Sequence, residues 1–137
     1  MKVAGINHVT FAVSDIERSF KFYTEALGFN PVQKNSQSAY LLAGNLWVAL
    51  VKDEMVRRGP LPEYTHVAFH VVPQDFLEVK NSLLMQGVVE WQKNSSEGDS
   101  FYFLDPDGHK LEIHSTGLSE RIKAAKSEWG SAVEWFV

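Results

Sequence analysis

Two stretches of the chain place a histidine in the same register. INHVTFAV (6–13) and YTHVAFHV (64–71) align as His-Val-x-Phe-x-Val, 58 residues apart. Read as strands, whose side chains alternate between faces, they put His8 with Thr10 and Ala12, and His66 with Ala68 and His70. Histidine is the commonest metal ligand at physiological pH. One imidazole near the start of each of two repeated strands can meet the other at the axis relating the repeats. A single histidine in an apolar strand is more often a hydrogen-bonded core residue than a ligand; the matched pair is what brings ligation level with that reading. His70 has only Ala12 as its counterpart, so it reads as a rim or satisfied histidine.

A third ligand is offered by FYFLDPDGHKLEIH (101–114). DPDG is a turn signature, with proline presetting φ and glycine taking the position that needs positive φ. It joins two strands. In the second, Leu111 and Ile113 face one way and Glu112 and His114 the other. A carboxylate buried in such a strand is costly without a partner, and a cation beside His8 and His66 removes that cost. The alternative is a glutamate on the solvent face of an amphipathic strand. His109 is set aside as a turn residue expected to be exposed, and His114 is not taken as a ligand. The last strand of the first half, NLWVALV, offers no ligand, so the count is three: His8, His66 and Glu112. Three protein ligands leave positions open for substrate or water. Two imidazoles and a carboxylate suit Mn²⁺, Fe²⁺ or Zn²⁺.

The elements that must position these residues repeat as well. SDIERSFKFYTEALGF reads as a helix capped by Ser14 or Asp15, striped by Ile16, Phe20, Tyr23 and Leu27, and ended by Gly28. PQDFLEVKNSLLMQGV reads likewise, with Asp75 as cap, Phe76, Val79, Leu83 and Leu84 as stripe, and Gly87 as end. Strand candidates follow each helix: NPVQK, SAYLLAG and LWVALV, then VEWQK, SFYFLD and KLEIHS. The unit is β-α-β-β-β, present twice. Module one is expected over about 4–51, a charged, proline-bearing connection over 52–63 and module two over about 64–115. A C-terminal helix (LSERIKAAK) and an aromatic-bearing tail occupy about 116–137.

Bulk properties narrow the function. At 137 residues and 45% apolar content the chain has the size of one domain and can bury a core. A net charge of −4 with no extended basic stretch argues against a nucleic-acid partner. The absence of cysteine removes disulfides, thiolate metal sites and a cysteine nucleophile. Asn7 and His8 interrupt the apolar start, so it does not read as a signal peptide, and no apolar run is long enough for a membrane span. The expectation is a cytoplasmic protein.

With these residues in view, the sequence resembles the vicinal-oxygen-chelate superfamily of glyoxalase I, extradiol dioxygenases and bleomycin-binding proteins. More closely it is similar to the fosfomycin-resistance thiol transferases of the glutathione-using type. The likeness runs through GINHVTFAVSD, FYTEALGF, AYLLAGNLWVAL, YTHVAFHV, NSSEGDSFYFLDPDGHKLEIH and the closing helix with Arg121. It implies an α+β fold, in which two tandem modules form a cup-shaped mixed sheet around a metal site, and a paired-module homodimer. His8 would then meet His66 and Glu112 of the other subunit at Mn²⁺. Thr10 would hydrogen-bond the epoxide oxygen of fosfomycin. Ser96, Ser100, Tyr102 and Arg121 would hold the phosphonate, and Trp47 and Tyr64 would line the site. The loop of Asn94, Ser96, Glu97, Gly98 and Ser100 would wrap an activating K⁺. Taken alone, that loop also reads as a hydrophilic surface turn. Trp129, Trp135 and Phe136 would serve the dimer.

Epoxide opening fits these residue types. The oxygen gains negative charge as the strained ring opens, and Thr10, two residues from His8, can donate a hydrogen bond to it. The thiol comes from outside, since the chain has none. At three places the sequence departs from the family pattern. Gln92 stands where the phosphonate-binding lysine is expected, with Lys93 one place later, able to swing in. Ser95 replaces an arginine and Asn35 a tryptophan. Losing one charge-assisted hydrogen bond costs about 1.5–3 kcal/mol. Other readings are a superfamily enzyme using another thiol, water or another substrate, as in a glyoxalase or dioxygenase, and a metal-free drug-binding protein. The three ligand residues argue against the last.

Overall fold

The computed structural model describes residues 2–95 and 98–137. β1 (His8–Val13) leads into α1 (Ile16–Lys21), which continues as a wider π-helical turn over Phe22–Ala26. β2 (Asn30–Lys34), β3 (Ser38–Ala43) and β4 (Leu46–Lys52) complete the first half. β5 (Val67–His70), α2 (Phe76–Met85), β6 (Glu90–Gln92), β7 (Ser100–Leu104) and β8 (Lys110–His114) form the second, and α3 (Leu118–Glu128) closes the chain. Strand order is β1-β4-β3-β2 in one sheet and β5-β8-β7-β6 in the other. In each, the first and last strands of the module pair in parallel and the rest antiparallel. The repeat in the sequence is therefore a repeat in topology. The expected mixed sheet is present as two four-stranded sheets, each hydrogen-bonded within its own module.

Local chemistry accounts for the helices. Asp15 caps α1, its carboxylate accepting from the Arg18 amide at 3.0 Å. Past Lys21 the helix widens, and both parts bury residues. Ser19, Phe22 and Ala26 are buried with Ile16 and Tyr23, whereas Phe20 and Leu27, expected in the stripe, are only half-buried. The expected Asp75 side-chain cap does not form. A 3₁₀ turn over Pro73–Asp75 leads into α2, and Leu84 lies exposed.

Both sheets turn apolar faces into one core. Phe11, Val13, Tyr23 and Phe29 from the first half pack with Phe69, Phe76, Phe101 and Phe103 from the second. Phe29 meets Phe69 edge-on at 5.1 Å between ring centroids. A polar clamp completes the joint, and it is built on the DPDG turn. The Tyr23 hydroxyl donates to Asp105 at 2.6 Å. Asp107 accepts from the Ser14 hydroxyl at 2.7 Å and from Arg18 at 3.0 Å. His109 Nε2 donates to the Ala12 carbonyl at 2.8 Å. Asp105, Asp107 and His109 are all buried, so the turn read as exposed is the seam between modules.

Two consequences can be measured. Gly108 adopts φ +92, and a Cβ there would lie 2.6 Å from the Gly59 backbone. Gly108→Ala should therefore cost on the order of 2 kcal/mol or more in urea unfolding. Burial raises the Asp105 carboxyl above the ordinary aspartate range, although His109, Tyr23 and two backbone amides partly offset it. A raised folded-state value means that the fold favours the protonated form, so this contribution is lost as pH rises through that value. Wild type should lose stability relative to Asp105→Asn as pH rises above the ordinary aspartate range of about 4, read from paired urea melts at each pH.

Candidate active site

The faces turned away from the core carry the candidate ligands. On β8, Leu111 and Ile113 enter the core, which sends Glu112 to the opposite face, beside Ala68 of β5 and Tyr102 of β7. Glu112 is nonetheless only 7% exposed. Its Oε2 accepts from the Ser100 hydroxyl at 2.7 Å, and its Oε1 lies 3.0 Å from His66 Nε2. His66 Nδ1 lies 2.9 Å from the Tyr64 carbonyl, which can only accept, so Nδ1 is the donor. Nε2 of the neutral ring then presents a lone pair to a carboxylate oxygen. Two acceptors at that distance need a cation between or beside them, and a divalent metal ion or a proton meets that need. The orienting carbonyl behind the imidazole is the outer-shell partner that metal-binding histidines characteristically have.

His8 is prepared in the same way at a different place. Its Nδ1 is 2.8 Å from the Asn7 side-chain oxygen, leaving Nε2 exposed. Its ring lies against Trp47, 4.4 Å between centroids, and Trp47 against Tyr40 at 5.0 Å. The indole N–H of Trp47 is buried and has no partner among the described residues. Within one chain, no three His, Asp or Glu side chains among the described residues gather closely enough to hold a metal. His66 and Glu112 come together; His8 does not join them. In the first half the position that repeats Glu112 is Ala49, which pairs with Thr10 as Glu112 pairs with Ala68, so that half offers His8 as its one candidate ligand.

Thr10 is exposed on the outer face of β1, two residues from His8. Thr10 and His66 both line a cavity of about 220 Å³ between β1 and β5. A larger cleft of about 810 Å³ lies at the DPDG turn, and its lining contains neither His66 nor Glu112. Tyr64, Tyr102 and the half-buried Trp91 surround His66 with edge-on contacts at 5.0, 6.0 and 5.3 Å. Trp91 was not anticipated from the sequence. It lies at a register shift between Glu90 and Gln92, and such a bulge frees a side chain from strict alternation. Its indole N–H donates to the Leu111 carbonyl at 3.0 Å. A matching shift lies between Pro31 and Gln33 in the first half, and comparing the two edge strands is the signal that could have exposed it.

The remaining anticipated residues divide. Gln92 is on the site side, donating to the Tyr64 hydroxyl at 3.0 Å. Lys93 does not swing in: its side chain is 90% exposed and pairs with Glu90 at 2.7 Å. Asn94 donates to the Gly98 carbonyl at 3.1 Å, closing the loop expected to hold K⁺. Ser96 and Glu97 lie outside the described residues. Ser100 faces Glu112 and His114. The Arg121 guanidinium stacks over Trp129, 5.6 Å from the ring centre, and Trp129 stacks with Trp135. Phe136 is exposed. No described helix is long and apolar enough to cross a membrane.

Comparison with known proteins adds a family relationship to this geometry. A family model for the Glyoxalase/Bleomycin resistance protein/Dioxygenase superfamily matches residues 5–113. Glutathione transferase FosA of Serratia marcescens is 46% identical over 126 residues, covering 90% of this chain and 89% of that protein. Metallothiol transferase FosB of Lysinibacillus sphaericus is 35% identical over 132 residues, covering 93% and 94%. Among solved structures, the fosfomycin resistance protein FosX of Listeria monocytogenes, complexed with Mn(II) and sulfate, superposes with a TM-score of 0.74. It is 26% identical and covers 90% of this chain and 98% of that one.

The donor set yields a direct expectation. Glu112→Gln keeps an acceptor for Ser100 but removes the negative charge facing His66. Divalent-metal affinity, measured by isothermal titration, should fall by about a hundredfold or more while the melting temperature shows a folded protein.

Proposed function

Since the chain belongs to the Glyoxalase/Bleomycin resistance protein/Dioxygenase superfamily and, within it, to the fosfomycin resistance thiol transferases, we propose that it inactivates fosfomycin by adding glutathione to the epoxide. The observation that carries this reading is the His66 Nε2–Glu112 Oε1 pair, an imidazole and a carboxylate 3.0 Å apart whose facing atoms a metal ion or a proton would satisfy. His8, His66 and Glu112 would hold the metal, with Mn²⁺ as the ion and K⁺ in the 94–100 loop as activator. Mn²⁺, when bound, supplies Lewis acidity toward the oxygen of the opening ring.

The chain's own residues do the rest. Thr10 donates a hydrogen bond to the epoxide oxygen as its charge grows. The thiol sulfur forms a bond to an epoxide carbon, the ring C–O bond breaks, and the proton lost by the thiol balances the one gained by the new hydroxyl. Tyr64, held by Gln92, and Tyr102 wall the pocket with Trp47 and offer hydroxyl donors. Ser96, Ser100 and Arg121 complete the phosphonate site.

The outward-facing ligands support a homodimer in which His8 of one subunit completes the His66–Glu112 site of the other, with the tail aromatics at the contact. On this reading residues 1–137 act as one functional unit, and the substrates are small molecules free in solution in the cytoplasm. A second reading, another thiol in place of glutathione, is favoured by the 35% identity to a metallothiol transferase. Asn35 fits it too, because its side chain is committed to its own turn, accepting from the Gln37 and Ser38 amides.

One experiment tests both the chemistry and the assembly. Fosfomycin is incubated with protein, Mn²⁺ and K⁺, and with glutathione, cysteine or no thiol, and product is followed by phosphorus NMR. A chelator-sensitive glutathione adduct is expected. No adduct with any thiol would sink the proposal. His8→Ala and His66→Ala should each be inactive alone. Mixed in equal amounts after subunit exchange, they should recover about a quarter of wild-type activity, because half the dimers then carry one intact site of two.

A further inference from the structure

Behind Glu112 lies a chain of polar side chains whose proton directions can be assigned. Thr116 Oγ1 is 2.6 Å from His114 Nε2. His114 Nδ1 contacts the Ser100 hydroxyl and lies 3.2 Å from Glu112 Oε2. The Ser100 hydroxyl in turn is 2.7 Å from Glu112 Oε2. An ionised carboxylate only accepts, so Ser100 spends its single proton on Glu112. Its oxygen is then an acceptor toward His114, which makes Nδ1 the donor and leaves Nε2 to accept from Thr116. With a neutral His114 ring, each side-chain bond in the row from Thr116 to Glu112 runs in this one direction.

We infer that His114, with Thr116 behind it, is a positioning residue that aims the Glu112 carboxylate through the Ser100 hydroxyl, so that Oε1 is presented to the metal beside His66. The inference rests on the metal reading proposed above and assigns this chain's own residues a part in it. The strand register supports it independently. Ser100, His114 and His70 lie opposite one another across β7, β8 and β5, one step along the same face from Glu112. Ser100 and Glu112 are both buried, so water does not compete for these bonds. A further consequence concerns Ser100. With its proton committed to Glu112, it can serve an anionic substrate only through its backbone amide, and its loss should register in metal binding.

The test is Mn²⁺ affinity, read from the free-ion EPR signal without fosfomycin or thiol, on wild type, His114→Ala, His114→Gln, His114→Asn, Ser100→Ala and Thr116→Val. Each variant is checked for folding by its melting temperature. Asparagine places an amide N–H close to the position of Nδ1, whereas glutamine reaches toward Nε2. His114→Ala, His114→Gln and Ser100→Ala should bind Mn²⁺ about tenfold or more weakly. His114→Asn should stay within about threefold of wild type, and Thr116→Val should fall between. Equal affinity across the folded variants, or an Asn variant as weak as Ala, overturns the positioning role while leaving the metal site in place. If His114→Ala fails to fold, Thr116→Val and Ser100→Ala decide by the same criterion. Wild type that binds no Mn²⁺ overturns the metal reading itself, and this role with it.

Discussion

The buried DPDG turn ties the two halves of the molecule together through its polar groups. Asp105 and Asp107 have left water, and each needs the donors it finds on the first module: Tyr23 for one, Ser14 and Arg18 for the other. Removing the Tyr23 hydroxyl would strip the buried Asp105 Oδ2 of its donor, which costs more than the bond itself contributes. The clamp and the shared phenylalanine core therefore reinforce one another. Together they set both apolar sheet faces inward, and so both ligand-bearing faces outward.

That orientation governs function. His66 and Glu112 share a module and meet directly across its parallel strand pair. His8 belongs to the other sheet and is held beside Trp47. On the proposed reading a site using all three would be completed from outside the chain: His8 lies on the exposed outer face of β1, and the buried indole N–H of Trp47 on β4 has no partner among the described residues. The His66–Glu112 pair is meanwhile stable only in company. The Tyr64 carbonyl fixes the imidazole from behind, Ser100 fixes the carboxylate, and the two facing atoms need a proton or a metal ion between or beside them. A cation at that point satisfies what the protein leaves unsatisfied.

Much of this was legible from the residues. The period-58 repeat, alternation within each strand and the glycine-ended helices announced two β-α-β-β-β modules, and the strands fall close to where they were read, although β5 begins only after His66. Glu112 was marked as costly to bury and does have partners. The reading faltered where the backbone leaves its regular period. The turn after Lys21 is π-helical and buries Phe22 and Ala26 beside Tyr23, and the register shift at Trp91 brought a third aromatic ring to His66. His109 was misjudged for a related reason: a turn sequence specifies its dihedrals but says nothing of what packs over it.

The sequence by itself determined the repeat, the residue types at the two histidine positions and the carboxylate opposite, and the kinship these carry, because periodicity and side-chain chemistry are local properties. Only the tertiary structure decided which of them meet. It showed Gln92 turned to Tyr64 while Lys93 pairs with Glu90, His114 standing behind Glu112, and His8 apart from both other candidate ligands. Those outcomes depend on the relative placement of two sheets, set by contacts between residues some ninety positions apart, such as Ser14 with Asp107, and no local pattern encodes a distance of that kind.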